Sequence, residues 1–462
     1  MMLSEIAKVL NGRLIGEDVR FAGVSSDSRK PAAGNLFVAL RGNNFDGFDF
    51  VDSAFEAGAV AALVNSDSYR RVQTQCPMVL VEDTRIGLGQ LASYWRSKFD
   101  IPLVAITGSN GKTTVKEMLA SILRLTAGNP DAVLATKGNL NNDIGMPLTL
   151  LQLNAAHRYA VIEMGMNHSG EIDYLTRIAA PDVALINNAS GAHLEGLGSV
   201  EAVAQAKGEI LAGLSAHGTA VINADDAYAE MWRALAGAHQ LLEFGMSPDA
   251  DVNGTWQPTA DGIHLDVTAP QGMFAAEVHA YGEHNALNAL AATAAASALN
   301  IPLEKIAAGL ERFGAVTGRL QHKTAQNGAK LIDDTYNANP ASMRAAIKVL
   351  AQTGGKRMLV MGDMGELGSQ AAQLHAEIGT EARRAGIERL YALGRLSSHA
   401  VREFGEGAMH FENIEDLQAV LGREVNANCC VLVKGSRFMR MERVVEFLEA
   451  GTIGKTLKRE KA

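Results

Sequence analysis

A short apolar run that leads through a glycine-rich loop into a helix start constrains this chain more than any other stretch of its sequence. The run and the loop occupy residues 103–111, and Lys112 and Thr113 open the segment that follows. The apolar positions of that segment recur at the spacing of one helix face: Val115, Met118, Leu119 and Ile122. The pattern therefore predicts a strand, a glycine loop and a helix N-terminus in succession.

The same loop predicts a phosphate-binding site. Backbone N–H groups and the positive end of a helix attract an anion, a lysine neutralises phosphate charge, and a hydroxyl can bind Mg²⁺. The spacing G-x-x-G-K-T is shorter than the common P-loop, but its place between a strand and a helix makes it specific. A loop without a ligand would leave Lys112 where the helix dipole disfavours a cation. The residues expected to contact nucleotide phosphates are Gly108, Ser109, Asn110, Gly111, Lys112, Thr113 and Thr114.

Length and charge limit the other possibilities. At 462 residues the chain is too long for one core and predicts about three domains. The net charge of −9 leaves no broad basic face, so we expect no nucleic-acid partner. The sequence has no secretory pattern, no run of about 18 apolar residues and no disulfide framework among its three cysteines. We therefore expect a cytoplasmic protein without membrane insertion, and we expect it to act as a monomer.

The sequence divides into three sections that differ in their pattern of apolar and polar residues. These sections predict three α/β domains, at residues 1–97, 98–314 and 315–462. The first mixes short strands with polar turns and predicts a small mixed α/β domain that ends in a helix near residues 88–99. The second alternates strands with helices around the glycine loop, which predicts a central P-loop ATPase domain with a parallel sheet and an antiparallel insertion at 251–280. The third restarts the alternation and predicts a Rossmann-like α/β domain.

Polar residues follow the strands predicted in the second and third sections. These strands are placed at residues 103–107, 159–163, 183–187, 220–223, 262–267, 273–279, 330–332, 357–361, 389–393 and 430–433. The polar residues at strand ends are Thr107, Glu163, Asn187, Asn188, Asp333, Asp334, Asp363 and Lys434. Ligands of open parallel sheets bind beyond the carboxyl ends of the strands. Two such edges facing each other predict an interdomain cleft for two or three reactants.

Three residues of the second section are candidates for a metal site. Glu163 ends a predicted strand, where a carboxylate suits Mg²⁺, although the same residue could pair with a nearby lysine. A lone histidine such as His193 is more often a hydrogen-bonding residue than a ligand. Lys207, on a predicted helix, is by default a solvated charge or half of an ion pair. The residues alone leave these alternatives open.

Further polar clusters are candidates for substrate contacts. The segment 137–147 is rich in asparagine, whose side chain both donates and accepts, but an ordinary asparagine-rich turn explains it equally well. Asn339 precedes a proline, which is typical of the residue just before the start of a helix. The adjacent carboxylates Asp333 and Asp334 are not explained by capping, and one could bind a ribose hydroxyl. Arg319 could reach a phosphate when domains close, or form a surface ion pair.

Taken in order, these motifs resemble the Mur ligases of peptidoglycan synthesis, which join an amino acid or a dipeptide to a UDP-linked muramoyl precursor. The resemblance covers nearly the whole chain. The segments similar to those shared across the family are Gly108–Thr114, Glu163–Gly165, His284–Ala292 and Gly318–Arg319. The segments that resemble the members adding D-alanyl-D-alanine are Gly138–Gly145, His193–Gly196, Ala206–Ile210, Asp333–Pro340 and Gly362–Gly368. The D-N-P-R signature of the diaminopimelate-adding members is missing.

The resemblance implies an ATP-dependent amide ligase that adds D-alanyl-D-alanine to a UDP-N-acetylmuramoyl-tripeptide through an acyl phosphate, with ATP and two Mg²⁺ ions. The residues it implies for catalysis are Lys112, Glu163, His193, Lys207 and Arg319. The implied metal ligands are Thr113, Glu163, His193 and, if carbamylated, Lys207. The implied ATP contacts beyond the loop are Asn288, Arg319 and Asp334.

The same resemblance implies contacts to the other two substrates. Those for the UDP-linked substrate are Asp27, Ser28, Arg29, Asp46, Gly47, Asn139, Asn141 and Asn142. Those for the dipeptide are Tyr336, Asn337, Asn339, Lys434 and Arg437. Two alternatives stay open: a sister Mur ligase that adds a single amino acid, and a P-loop kinase or NTPase. A plain NTPase would not require the N-terminal domain, and its phosphate release would not depend on a dipeptide.

Overall fold

The computed structural model describes residues 1–29, 33–42, 44–69, 76–191 and 194–450. Within this part of the chain the strands form three separate sheets, which span residues 13–81, 103–278 and 321–434. Helices cover the faces of each sheet, which confirms the predicted α/β class. Every helix in the described part is too short or too polar to cross a membrane.

The first sheet is small and mixed. Its order is β1-β5-β4-β3-β2, with β1 antiparallel to β5 and the other neighbours parallel. The strands are β1 (Arg13–Ile15), β2 (Gly23–Ser25), β3 (Asn35–Val38), β4 (Ala61–Asn65) and β5 (Met78–Val81). The helices are α1 (Leu3–Val9), α2 (Val51–Glu56) and α3 (Thr84–Arg96). The last helix begins four residues earlier than predicted because the Asp83 carboxylate caps its first turn.

The second sheet carries the glycine loop at the end of an interior strand. Its order is β14-β13-β12-β11-β10-β9-β6-β8-β7; β12 to β14 pair antiparallel with one another and the other neighbours pair parallel. The strands are β6 (Leu103–Thr107), β7 (Val133–Ala135), β8 (Tyr159–Glu163), β9 (Val183–Ile186), β10 (Thr219–Asn223), β11 (Gln240–Gly245), β12 (Val252–Thr259), β13 (Gly262–Ala269) and β14 (Gly272–Val278). The antiparallel insertion therefore extends the parallel sheet.

Helices pack on both faces of this sheet. They are α4 (Lys112–Ala127), α5 (Gly145–Leu150), α6 (Glu171–Ala179), α7 (Leu194–Leu197), α8 (Val200–Gly208), α9 (Ala229–Ala236), α10 (Glu283–Ala298) and α11 (Leu303–Glu311). The helix after the glycine loop begins at Lys112 as predicted, and its apolar stripe is fully buried against the sheet and α10. Burial of this stripe fixes the helix N-terminus at the carboxyl end of β6.

The third sheet is parallel except for one edge strand. Its order is β15-β16-β20-β17-β18-β19, with β15 antiparallel to β16. The strands are β15 (Gln321–Thr324), β16 (Lys330–Asp334), β17 (Lys356–Gly362), β18 (Arg389–Leu393), β19 (Ala408–Phe411) and β20 (Cys429–Lys434). The helices are α12 (Pro340–Ala351), α13 (Ala371–Arg384), α14 (Ser398–Phe404), α15 (Ile414–Glu424) and α16 (Glu442–Ala450). The last strand returns between the first two parallel ones, so the loops after β16, β17 and β20 meet at one edge.

Candidate functional site

The glycine loop joins β6 to α4 in a conformation that requires glycine at its last position. Gly111 has a φ of +79°, in the left-handed region that favours glycine. A Cβ there would lie 2.3 Å from Oδ1 of Asn288 and 2.4 Å from Nδ2 of Asn187. The loop backbone therefore lies directly on two buried amides, and a side chain at this position would displace it.

Glu163 and Thr113 meet beside the loop. The Thr113 hydroxyl donates to Oε2 of Glu163 at 2.9 Å, and Nδ2 of Asn141 donates to Oε1 at 2.7 Å. A buried carboxylate and a hydroxyl thus offer adjacent oxygens, the donors that Mg²⁺ prefers, and Mg²⁺ takes water and phosphate oxygens as its remaining ligands. Among the described residues, no three His, Cys, Asp or Glu side chains cluster as a complete metal site. The predicted ligand His193 lies outside the described residues.

One lysine, Lys112, interacts with this pair, and a second, Lys207, interacts with Lys112. Nζ of Lys112 donates to the Gly108 carbonyl at 2.6 Å, and Lys207 on α8 is 2% exposed. Burial lowers the pKa of Lys112, which Glu163 opposes and Arg319 reinforces. Burial and the charge of Lys112 hold the pKa of Lys207 well below its usual value. The Lys207 amine is therefore unprotonated far more often than that of a surface lysine.

Arg319 and Asn339 bring the C-terminal part of the chain to the glycine loop. Nη2 of Arg319 lies 3.5 Å from the Thr113 hydroxyl, and its guanidinium lies 4.1 Å from the centroid of the Tyr336 ring. Within the described residues nothing accepts a hydrogen bond from its buried Nε. Nδ2 of Asn339 donates to Oδ1 of Asn110 at 2.8 Å. Arg319 thus places a cation with an unused donor next to the loop, as an anion-binding group requires.

A cavity of about 1040 Å³ opens between the loop and the edge of the third sheet. The second domain lines it with the glycine loop, with Glu163 and with residues that precede α6. The linker and third domain line it with Arg319 and with the loops that follow β16, β17 and β20. This is the cleft that the strand ends predict.

A chain of buried, hydrogen-bonded asparagine side chains contacts the glycine loop. Nδ2 of Asn187 donates to the Asn110 carbonyl at 2.9 Å and to Oδ1 of Asn288 at 3.0 Å. Nδ2 of Asn288 in turn donates to Oδ1 of Asn285 at 3.0 Å. Asn288, predicted as an ATP contact, therefore lies against the loop but does not line the large cavity.

The residues predicted for the dipeptide fall into two groups. Those that line the cavity are Tyr336, Asn337, Asn339 and Arg437. Lys434 does not line it, because its Nζ is buried and donates to Asp334 at 2.7 Å and to the Asn337 carbonyl at 2.8 Å. Asp334, predicted as a ribose contact, also accepts from the Leu320 N–H at 3.2 Å. Both residues were expected just beyond strands, but β16 and β20 each extend to include them and pair them in register.

The residues predicted for the UDP-linked substrate also divide. The three that line the cavity are Asn139, Asn141 and Asn142. The others lie in the loops that follow β2 and β3: Asp27, Ser28, Arg29, Asp46 and Gly47. There Nε of Arg29 donates to Asp27 at 2.8 Å, and Asp46 accepts from the Phe48 N–H at 3.1 Å. The structure therefore brings the asparagines to the cleft and leaves the N-terminal group outside its lining.

Sequence reasoning missed several residues that line the cleft. Arg85 at the start of α3 pairs with Asp143 through two hydrogen bonds and joins the N-terminal domain to the asparagine-rich loop. Phe438 exposes 64% of its surface there, and Gly365 and Glu366 lie in the loop after β17. An ion pair between residues 58 positions apart leaves no local signal. The resemblance already included Gly365 and Glu366 in the segment Gly362–Gly368, but it assigned neither residue a role.

Comparison with known proteins identifies the family. Three family models match in succession: the Mur ligase family catalytic domain at residues 20–96, the Mur ligase middle domain at 106–296 and the Mur ligase glutamate ligase domain at 318–437. Over 455 residues the chain is 42% identical to the UDP-N-acetylmuramoyl-tripeptide–D-alanyl-D-alanine ligase of Escherichia coli K12, a match covering 97% of this chain and 98% of that protein. The chain belongs to the Mur ligase family.

Solved structures of Mur ligases share this fold. MurF from Acinetobacter baumannii is 35% identical and superposes with a TM-score of 0.89 over 97% of this chain and 98% of its own. The MurF ligase of Thermotoga maritima, solved in complex with ADP, is 28% identical with a TM-score of 0.81 over 93% and 97%. The three-domain α/β Mur ligase architecture is thus confirmed for this chain.

Proposed function

We propose that this Mur ligase joins D-alanyl-D-alanine to a UDP-N-acetylmuramoyl-tripeptide and converts ATP to ADP and phosphate. The product is the UDP-muramoyl-pentapeptide of peptidoglycan synthesis. The name of the Escherichia coli relative supports this activity. The geometry that carries the proposal is the single cavity in which Lys112, the Thr113–Glu163 pair and Arg319 meet.

A carboxylate needs activation before it can form an amide. In the proposed reaction, a carboxylate oxygen of the tripeptide attacks the γ-phosphorus of ATP, and the bond to the bridging oxygen of ADP breaks. The amine of the dipeptide then attacks the acyl carbon, loses a proton and displaces phosphate. The protein acts mainly by positioning the reactants and neutralising charge.

Lys112 and Arg319 carry that neutralisation in our proposal. The carboxylate and ATP repel each other, so cations must converge on the phosphates from both sides. Lys112 lies at the start of α4, and Arg319 approaches from the linker and remains on the Tyr336 ring. Closure of the cleft would exclude water from the acyl phosphate, which hydrolyses when wet.

The proposed metal site takes two Mg²⁺ ions. Thr113 and Glu163 offer one pair of oxygens, and His193 and a carbamylated Lys207 would complete the ligand set. Bound Mg²⁺ supplies charge neutralisation at the phosphate oxygens. An unprotonated amine is the form that reacts with CO₂, so the lowered pKa of Lys207 supports its carbamylation. The carbamate would convert a buried cation into an anionic oxygen ligand.

The nucleotide base is assigned to a smaller cavity of about 180 Å³ beside the start of α4. Thr114, Tyr281, Arg319 and His322 line it, and the rings of Tyr281 and His322 stack with centroids 3.7 Å apart. Such an aromatic wall suits a flat base. The remaining nucleotide contacts in this proposal are Ser109, Asn110, Asn288 and Asp334.

The other substrates are assigned to the flanking domains. The loops at Asp27–Arg29 and Asp46–Gly47 would bind the UDP portion, and the asparagines at 139, 141 and 142 would bind the muramoyl peptide where it enters the cleft. Tyr336, Asn337 and Asn339 would shape the dipeptide site. Arg437 is the better candidate for the dipeptide carboxylate, because Lys434 is buried in its ion pair with Asp334.

We further propose that the domain boundaries lie near residues 97 and 314, and that the protein is a cytoplasmic monomer with no nucleic-acid partner. The family models support these boundaries, because each boundary falls between two of the segments that the models match.

The test is phosphate release from ATP and Mg²⁺ in the presence of the UDP-muramoyl tripeptide, with D-alanyl-D-alanine compared against single amino acids. We expect release to require the dipeptide and the product mass to be that of the pentapeptide. Release with a single amino acid would make the chain a sister ligase. Release without either acceptor would make it a generic NTPase.

A further inference from the structure

The loop that follows β17 is held by side chains that the proposed mechanism does not use. Residues 363–368 leave the carboxyl end of β17 and lead to α13, and Gly365 and Glu366 line the cleft. Glu366 has a φ of +61°, a left-handed conformation that costs a non-glycine residue of order 1 kcal/mol or more. Such strain persists only where neighbouring groups fix the backbone.

His375 is one of those groups. It lies on α13 with no exposed surface, and its Nε2 accepts a hydrogen bond from the Met364 N–H at 2.9 Å. Its Nδ1 lies 2.6 Å from the Ala371 carbonyl, which can only accept. The proton must therefore be on Nδ1, and the imidazole is neutral. A protonated ring would present a second N–H to the Met364 N–H, and that hydrogen bond would be lost.

The next amide of the loop is held by a second side chain. The Gly365 N–H donates to the Ser436 hydroxyl at 2.8 Å, and that hydroxyl donates to the Ala338 carbonyl at 3.1 Å. Two adjacent N–H groups are thus fixed by two side chains. Ser436 also links the loops after β16, β17 and β20, which together form the third domain's wall of the cleft.

We propose that His375 is a positioning residue that, as a neutral Nδ1–H tautomer, holds loop 363–368 in the conformation that shapes the dipeptide end of the cleft. This inference rests on the proposed function for the identity of the dipeptide. It assigns to His375 no contact with any substrate. Its effect reaches the cleft through Met364 and the two residues that follow.

The surroundings of His375 keep the ring neutral. Burial lowers the pKa of His375. The hydrogen bond to Ala371 and the charge of Asp363 after β17 oppose this shift, and the neighbouring His399 on α14 reinforces it. The charged residue that α12 brings to this helix, Arg344, is paired with Glu377 and Glu381 further along α13. The folded pKa therefore lies below the usual value of about 6.5. The loop is held at neutral pH and is released as the pH falls through the folded pKa.

The test compares His375→Leu, His375→Gln and wild type. Leucine removes both hydrogen bonds, whereas glutamine can accept from one amide and donate to one carbonyl without titrating. We expect His375→Leu to raise the KM for D-alanyl-D-alanine about tenfold, with the KM values for ATP and the UDP-substrate within about twofold of wild type. Amide hydrogen exchange, read by mass spectrometry, should accelerate in residues 364–368.

His375→Gln should restore most of the dipeptide affinity and remove the excess rise in the KM for the dipeptide that wild type shows as the pH falls through the folded pKa of His375. His399→Gln, which leaves both hydrogen bonds intact, is the matched control and should retain that rise. If His375→Leu does not fold, His375→Gln and the pH dependence of amide exchange at residues 364–368 in wild type still test whether His375 holds the loop.

Equal increases in all three KM values, or unchanged exchange at residues 364–368 in His375→Leu, would overturn the proposal. A wild-type protein without dipeptide-dependent phosphate release would instead refute the proposed function. The exchange measurement, which needs no substrate, would still report on the loop.

Discussion

Replacing Gly111 with alanine should weaken nucleotide binding far more than it destabilises the fold. Gly111 has a φ of +79°, and its Cβ would lie 2.3 Å from Oδ1 of Asn288 and 2.4 Å from Nδ2 of Asn187. A left-handed alanine costs about 1–2 kcal/mol, and displacing a buried hydrogen-bonded amide costs about 1–3 kcal/mol. The native loop conformation is therefore disfavoured by about 2–5 kcal/mol.

The loop can avoid this cost by shifting, but the shifted loop no longer cradles phosphate. Since each 1.36 kcal/mol is tenfold, ATP affinity should fall about 30- to 5,000-fold, measured by calorimetry with a non-hydrolysable ATP analogue. The stability of the unliganded protein should fall by less than this cost, because without ATP the loop can relax into the shifted conformation. UDP-substrate binding should persist, since its proposed site lies largely in another domain.

Gly128→Ala is the matched control, at the other end of the same helix. Gly128 has a φ of +68°, but nothing lies within 4 Å of the Cβ that alanine would add. This variant should lose about 1 kcal/mol of stability and bind ATP as wild type does. An ATP affinity of Gly111→Ala within about twofold of the Gly128→Ala value would refute the assignment of this loop to phosphate.

Three further predictions follow from the same cleft. Lys112→Ala should lose more than about 10²-fold activity in the phosphate-release assay and retain UDP-substrate binding; near-normal turnover would contradict its role at the phosphates. Activity should fall when CO₂ is stripped from the buffer and return with bicarbonate, whereas Lys207→Ala should be insensitive to both. Tyr336→Leu removes the ring under Arg319 and should lower kcat/KM for ATP about five- to thirtyfold, a cost of about 1–2 kcal/mol, while Tyr336→Phe keeps the face and stays near wild type.

The elements around the glycine loop were predictable because their signals are local. The strand at Leu103–Thr107 and the helix start at Lys112 match the prediction residue by residue. A fully buried strand needs a continuous apolar run and a half-buried helix needs apolar residues at helical spacing, so both patterns are visible in the sequence. The strands β11 and β12 were not predicted. Their sequences carry exposed polar residues and show no clear apolar alternation, so their pairing depends on the neighbouring strands of the sheet.

The site was predictable where the type and position of a residue leave few chemical roles open to it. The glycine loop, Glu163 and Arg319 follow from strand ends and family motifs, and the cleft brings them together. The commitment of Lys434 to Asp334 could not be predicted, because it arises from register between β16 and β20. The roles of Asn187 and His375 are equally non-local, since each depends on a partner amide that only the folded chain places opposite it.

The most direct measurement of the account's central claim follows oxygen from the tripeptide carboxylate to the released phosphate. The UDP-muramoyl tripeptide is labelled with ¹⁸O in its reacting carboxylate, and the phosphate formed with ATP and D-alanyl-D-alanine is analysed by mass spectrometry. An acyl phosphate predicts one ¹⁸O in each phosphate released, because the carboxylate oxygen that attacks the γ-phosphorus leaves with it. Phosphate free of label, formed alongside pentapeptide, would contradict the proposed activation step.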